Sequence, residues 1–196
     1  MLRIGVLVSG GGTNLQSIID AVESGCLNAE IAAVVSSNPN AYALVRAERH
    51  GLNSVCLRKR DYDDIDAYCD AVAGFLEGAG VGLVLTAGWL VVLSERFIKK
   101  YGGRMMNIHP SLIPAFCGKG MYGIKVHESV LAAGVKVTGA TVQFVTLEVD
   151  AGPIILQKAV EVLDGDTPET LQKRVMEEAE RVIFPEAVRL FIEKRI

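Results

Sequence analysis

The feature that most constrains this chain is an alternation running through its first 110 residues. Short apolar runs, "LRIGVLVS", "AEIAAVVSS", "SVCLR", "VGLVLTAG" and "RMMNIH", are separated by stretches of a different character. Those stretches, "TNLQSIIDAVESG", "AYALVRAERHG", residues 61 to 79 and "SERFIKKYG", repeat their apolar residues at helical spacing. A strand that is apolar on both sides must be covered on both faces, which is the habit of parallel strands. Parallel neighbours need a crossover, normally a helix, and that crossover is right-handed. The rhythm therefore predicts βαβ units in an open, twisted α/β sheet with helices on both faces. Leu15, Ile18, Ile19 and Val22 form the apolar stripe of the first helix, and Gly25 can close it. Asp61 and Ser94 are the expected N-caps of the third and fourth helices.

The rhythm changes after residue 110. "PSLIPAFCGKGMYG" is rich in Gly and Pro and reads as a loop, and "IKVHESVLAAG" as a helix. "VKVTGATVQFVTLEV" and "GPIILQKAVEV" read as two long strands of an antiparallel hairpin, turning near Gly152. Thr167 to Arg195 is predicted to be a terminal helix, broken before Pro185. The expected architecture is a mostly parallel sheet of about seven strands with this hairpin at its end. One domain spans 1–196, with a Rossmann-like half at 1–110 and an antiparallel half at 111–196.

Charge and cysteine usage narrow the function classes. A net charge of −3 argues against a general nucleic-acid or membrane-surface binder. Cys26, Cys56, Cys69 and Cys117 lie far apart without a C-x-x-C pair, which suits neither a disulfide framework nor a zinc site. The opening "MLRIGVLVSGGG" has an apolar run too short for a signal peptide, and "VGLVLTAGWLVVL" falls short of a membrane span. A cytoplasmic protein without a membrane partner is expected.

Between the first strand and first helix stand Gly10, Gly11 and Gly12, followed by Thr13 and Asn14. Glycines let a ligand approach the backbone, and a helix N-terminus favours an anion. A dinucleotide fingerprint would need a small residue where Leu15 stands, and "SSNPN" offers no acidic residue for a ribose. The Gly-Lys-Ser/Thr ending of a Walker loop is also missing. A monophosphate on Gly11, Gly12, Thr13 and Asn14 is the simpler guest.

Asn107 and His109 end the fifth strand two residues apart, so strand geometry points both side chains to one face. Ligands of open parallel sheets bind beyond the carboxyl ends of strands. A histidine can exchange protons near neutral pH and an asparagine can donate to an oxyanion. A purely structural strand end fits those two residues about as well. Asp150 follows an apolar strand and precedes "AGPII"; a carboxylate beside a histidine favours the imidazolium, but no sequence rule brings the two together. No metal is expected, since the chain has no H-x-x-x-H or similar cluster.

Taken together, "SGGGTNLQSII", "NIHPSLIP", "VTGATVQFV" and "DAGPIILQ" resemble, in order and spacing and over the full chain, the folate-dependent phosphoribosylglycinamide formyltransferases. The resemblance implies that 10-formyltetrahydrofolate is the co-substrate and that the amine of glycinamide ribonucleotide takes its formyl group. It implies that Asn107 and protonated His109 stabilise the oxyanion, and that Asp150 holds His109 and shuttles a proton. It places the substrate phosphate on the glycine loop, the ribose on Glu180, and the folate along Leu90, Val91, Val92 and Leu93, with Asn107, Val145 and Asp150. A monomer or homodimer is implied. The nearest rival is a formyltetrahydrofolate hydrolase, which uses water as acceptor. The chain departs from the common pattern at Gln143, where a histidine is usual, and at Val91, where an arginine often stands. Its loop at 115–124 is also longer than the common version.

Overall fold

The computed structural model describes all residues, Met1 to Ile196. They form two compact units, Met1–Met106 and Asn107–Ile196. The strand order is β3-β2-β1-β4-β5-β6-β7 in one seven-stranded sheet. This is the mostly parallel α/β sheet that the alternation predicts.

In the first unit β1 (Leu2–Val8) pairs parallel with β2 (Ala29–Ser36) on one side and β4 (Leu83–Ala87) on the other. Strand β3 (Ser54–Cys56) pairs parallel with β2. The connections β1-α1-β2 and β2-α2-β3, through α1 (Thr13–Glu23) and α2 (Tyr42–Arg49), step one way along the sheet. Those through α3 (Ile65–Gly78) and α4 (Glu95–Lys100) step the other way. With every crossover right-handed, that reversal puts α1 and α2 on one face and α3 and α4 on the other. The packing agrees, since α1 touches α2 and α3 touches α4. The core strands are apolar throughout: Ile4, Val6, Leu7, Val8, Val34, Val35, Leu83 and Leu85 are all buried. The direction of travel reverses between β1 and β4, and such switch points are where open α/β sheets hold ligands.

The capping expectations divide. Ser94 does cap α4, its Oγ accepting from Phe97 N at 3.3 Å. Asp61 does not cap α3. A 3-10 turn over Lys59–Asp61 intervenes, and the cap is Asp64, whose Oδ1 accepts from Ala67 N at 2.7 Å. Asp61 is instead engaged by the Arg58 guanidinium at 2.6 and 2.9 Å. The chain holds Asp61, Asp63 and Asp64 in close succession, and only the last has an extended backbone directly ahead of helical residues.

In the second unit α5 (Ile124–Ala132) precedes β6 (Val137–Phe144), which pairs antiparallel with β7 (Ile154–Glu161). The hairpin is not a tight turn at Gly152. Strand β6 stops at Phe144, and residues 145–153 form the connection, so Val145 to Val149 lie outside the strand. Gly152 is pressed against β6. A Cβ there would lie 1.8 Å from the Phe144 carbonyl oxygen, so this position takes no side chain. That contact fixes the base of the connection that carries Asp150.

The C-terminal helix is irregular, but not at the proline. Helix α6 (Pro168–Val175) runs into a π stretch, Met176–Glu180, and then α7 (Arg181–Ile192), which contains Pro185. Proline lacks the N–H for the preceding turn and its ring crowds the carbonyl four residues back. The ladder widens in the turn before Pro185 instead of breaking there, as π bulges allow. The bidentate pair of Arg174 with Asp166, both contacts at 2.6 Å, fastens α6 to the loop that follows β7. It holds the Asp166 carboxyl well below the usual carboxylate range.

Candidate active site

The glycine loop follows β1. Gly12 is left-handed at φ 69 and is the N-cap of α1, with no side chain capping the helix. It also sits hard against α2, where a Cβ would meet Ala43 at 2.7 Å. Two successive loop carbonyls are tied to that helix: Ala43 N donates to Gly10 O at 3.2 Å and Arg46 Nε to Gly11 O at 2.9 Å. A trans peptide points its N–H opposite its carbonyl. The N–H groups of Gly11 and Gly12 are therefore turned away from α2. They lie next to the first amides of α1, the end of a helix that favours negative charge. Thr13 and Asn14 open the helix at the same point.

Across the switch point, Ser9 Oγ accepts from Leu90 N at 3.0 Å and is 2.7 Å from Ser37 Oγ. Trp89 stacks on Tyr68 of α3 at 6.3 Å between ring centres. The segment from Leu90 to Leu93 is thus anchored at its start, and it presents Leu90 at 58% and Val92 at 74% exposure. Exposed apolar side chains beside a strand end suit a flat, partly apolar ligand. Val91 and Leu93 are half-buried.

The second unit holds the polar cluster. Asn107 and His109 lie on β5 (Met105–His109), the histidine only 4% exposed. The segment after β5 is tied to the hairpin. Thr141 Oγ1 donates to Ser111 O at 2.7 Å and accepts from Ile113 N at 3.1 Å, while Gln157 Nε2 donates to Ile113 O at 2.9 Å. These bonds explain why "HPSLIP" and "VTGATVQ" occur together: the first is held by the hydroxyl of the second.

Asp150 comes to His109. Its Oδ2 lies 3.6 Å from His109 Nδ1, and both side chains are under a tenth exposed. Gly118 N donates to the same Oδ2 at 2.9 Å, and Gln143 Nε2 donates to Oδ1 at 3.1 Å. The other nitrogen of His109, Nε2, lies 3.0 Å from the Phe116 carbonyl. A carbonyl can only accept, so Nε2 carries a proton. The acceptor-only carboxylate faces Nδ1. Nδ1 is thus the ring nitrogen placed to exchange a proton with Asp150. Phe116 and Asp150 both adopt left-handed backbone, φ 51 and 55, which is costly for side-chain-bearing residues and clusters at functional sites.

Beyond His109 lies His127 of α5, fully buried with both ring nitrogens unpartnered. Burial, and then the charge of His109, push it down to about 4. Cys117, between the two residues that hold the pair, is pushed up by burial and by Asp150.

Two further predicted residues belong to the C-terminal helical segment and to the 145–153 connection. Glu180 is 8% exposed and ends the π stretch, which packs on β6 and β7. Val145 is half-buried at the start of the 145–153 connection, where Leu147 and Val149 are exposed. Sequence reasoning missed the Phe116 carbonyl and the Gly118 amide, because main-chain groups leave no residue-type signal. Their only trace is the density of glycine around them. No group of three or more His, Cys, Asp or Glu is placed to hold a metal ion.

The first unit carries a glycine loop at the switch point of a doubly wound sheet, and the second a buried His109–Asp150 pair. The chain belongs to the formyl transferase family, whose model matches residues 2–188. It is similar to the phosphoribosylglycinamide formyltransferase of Haemophilus influenzae, at 37% identity over all of this chain and 90% of that protein. It is 44% identical over 96% of its length to the trifunctional purine biosynthetic protein adenosine-3 of Gallus gallus, of which it spans 18%. Among solved structures, glycinamide ribonucleotide transformylase 1 from Symbiobacterium toebii matches all of this chain and 89% of its own, at 45% identity and a TM-score of 0.94.

Proposed function

We propose that this chain transfers the formyl group of 10-formyltetrahydrofolate to the primary amine of N1-(5-phospho-D-ribosyl)glycinamide. The products are the N-formylated ribotide and tetrahydrofolate. The observation that carries the reading is the buried His109–Asp150 pair, with Asn107 two residues away on the same strand. Relatives of matching length that bear the formyltransferase name support it.

Each residue then has a task. The phosphate takes the outward amides of Gly11 and Gly12 with Thr13 and Asn14. Glu180 takes the ribose. Leu90, Val91, Val92 and Leu93, with Val145, Asn107 and Asp150, hold the folate, whose contribution is the formyl group itself. Asn107 donates to the oxygen on which charge develops. His109 supplies positive charge beside it, since its two N–H groups face Phe116 O and Asp150. Asp150 keeps that charge in place, accepts the proton the amine loses and passes it through water to the folate nitrogen as its bond to the formyl carbon breaks. Removing one donor from such an oxyanion site typically costs on the order of 10²–10³ in turnover. Four free cysteines suit a reducing, cytoplasmic setting. No helix is long and apolar enough to cross a membrane. The chain works as a monomer or homodimer in this reading.

The deciding experiment supplies 10-formyltetrahydrofolate with and without glycinamide ribonucleotide. Tetrahydrofolate should appear only when the amine is present; amine-independent turnover would sink the reading. The phosphate assignment has its own check. Thr13→Ala and Asn14→Ala should each raise KM for the ribonucleotide about 10- to 150-fold, the worth of one hydrogen bond to a charged group, and leave KM for the folate unchanged. An unchanged ribonucleotide KM in both variants removes the phosphate from this loop.

A further inference from the structure

We infer that Gln143 is a positioning residue that acts on the reaction through Asp150, on which the reading above relies. Gln143 is 2% exposed, and its Nε2 donates to Asp150 Oδ1 at 3.1 Å. Its own Oε1 is buried without a partner. The acceptor-only carboxylate fixes which way the amide points. A flipped amide would set Oε1 against the carboxylate and leave the Nε2 donors unmet. A buried acceptor without a donor is costly, and an apolar side chain of the same size would avoid that cost. The polar residue is explained by what it does for Asp150. The pairing register of β6 with β7 shifts between Val142 and Gln143, just where the strand delivers the amide.

Together with Gly118 N, this amide occupies both oxygens of Asp150 from main chain and from β6. The direct approach of His109 Nδ1 is longer, at 3.6 Å. Asp150 is therefore held mainly by its two N–H donors, and they decide how it faces the imidazolium. A donated N–H stabilises a carboxylate over its acid form. An amide does not titrate, so this donation persists at every working pH. The titratable groups facing Asp150 are His109 from β5 and Cys117 from the loop, with His127 of α5 beyond His109.

The test titrates the Asp150 carboxyl by 13C NMR in aspartate-labelled protein, its signal assigned by loss in Asp150→Asn. In Gln143→Leu the carboxyl should titrate at a higher pH than in wild type. In the same variant kcat should fall about 10- to 100-fold with both KM values within about threefold, and the acid limb of the rate profile should move up with the carboxyl. Gln143→His keeps an N–H donor and should retain most of kcat. An unmoved carboxyl titration in Gln143→Leu overturns the inference whether or not the rate falls, because a purely structural residue would give that result. A Gln143→His protein as slow as Gln143→Leu also overturns it. Should Gln143→Leu not fold, Gln143→Met takes its place in both measurements. The titration needs no turnover, so it gives its answer even if the wild-type chain fails to formylate glycinamide ribonucleotide, a result that would count against the functional reading alone.

Discussion

Replacing Asp150 by asparagine should slow formyl transfer at least about 100-fold, and replacing His109 by alanine should do the same. The two losses have one origin. In Asp150→Asn the new side chain keeps the size of the old one and tolerates the left-handed backbone at φ 55, so the fold should survive. Yet an amide cannot accept at both ends. One end must set N–H against the donor from Gly118 or from Gln143. In the mechanism proposed above, the imidazolium then loses its counter-ion, and the amine loses the group that takes its proton. His109→Ala removes the positive charge outright and leaves the Phe116 carbonyl without its donor. Because the residues act as a pair, the double variant should be little slower than the worse single one. Turnover at saturating concentrations of both substrates, with melting temperature as a control on folding, measures all three. A near-normal rate in either single variant would remove that residue from the machinery. Fully additive losses would mean that the two work separately.

Why this pair was only half legible in the sequence is a question of range. Asn107 and His109 are linked by local geometry, because two residues on one strand share a face whatever the rest of the chain does. The parallel sheet followed from the same kind of short-range regularity. Asp150 reaches His109 through contacts that no local pattern encodes: the stop of β6 at Phe144, the backbone closeness at Gly152, and two amide donors. Reading "VQFVTLEV" as one strand is what the alternation of apolar residues suggests. Leu147 and Val149 are nonetheless exposed, apolar without being buried, and so they misled the reading. The third helix failed for a related reason. Several aspartates can serve as an N-cap, and which one does depends on a 3-10 turn ahead of the helix. At Pro185 the expected break was absorbed one turn earlier by a π stretch, a solution that leaves no mark in residue type.

His127 carries the second large effect, and it concerns stability. An unfolded histidine titrates near the ordinary 6.5, whereas this one is pushed down to about 4 by burial and by the charge of His109. Between those values the unfolded chain binds a proton that the folded chain refuses. Where the unfolded state binds more protons, stability rises with pH. Its titration therefore costs nothing above about pH 6.5, and stability is lost as pH falls from there towards 4. At about 1.4 kcal/mol per unit, the loss reaches on the order of 3 kcal/mol. Because the ring is fully buried, solvent screening does not soften it. His127→Leu removes the titrating group and two unpartnered polar atoms at similar volume. Its stability at pH 7.5 should exceed that of wild type, since an apolar side chain avoids the cost of buried polar atoms without partners. At pH 5 the variant should be clearly the more stable, and the gap should keep widening to pH 4. Urea unfolding of both proteins across this range gives the difference directly. Parallel curves for wild type and His127→Leu would mean that the imidazole takes up its proton in the folded protein as readily as in the unfolded one.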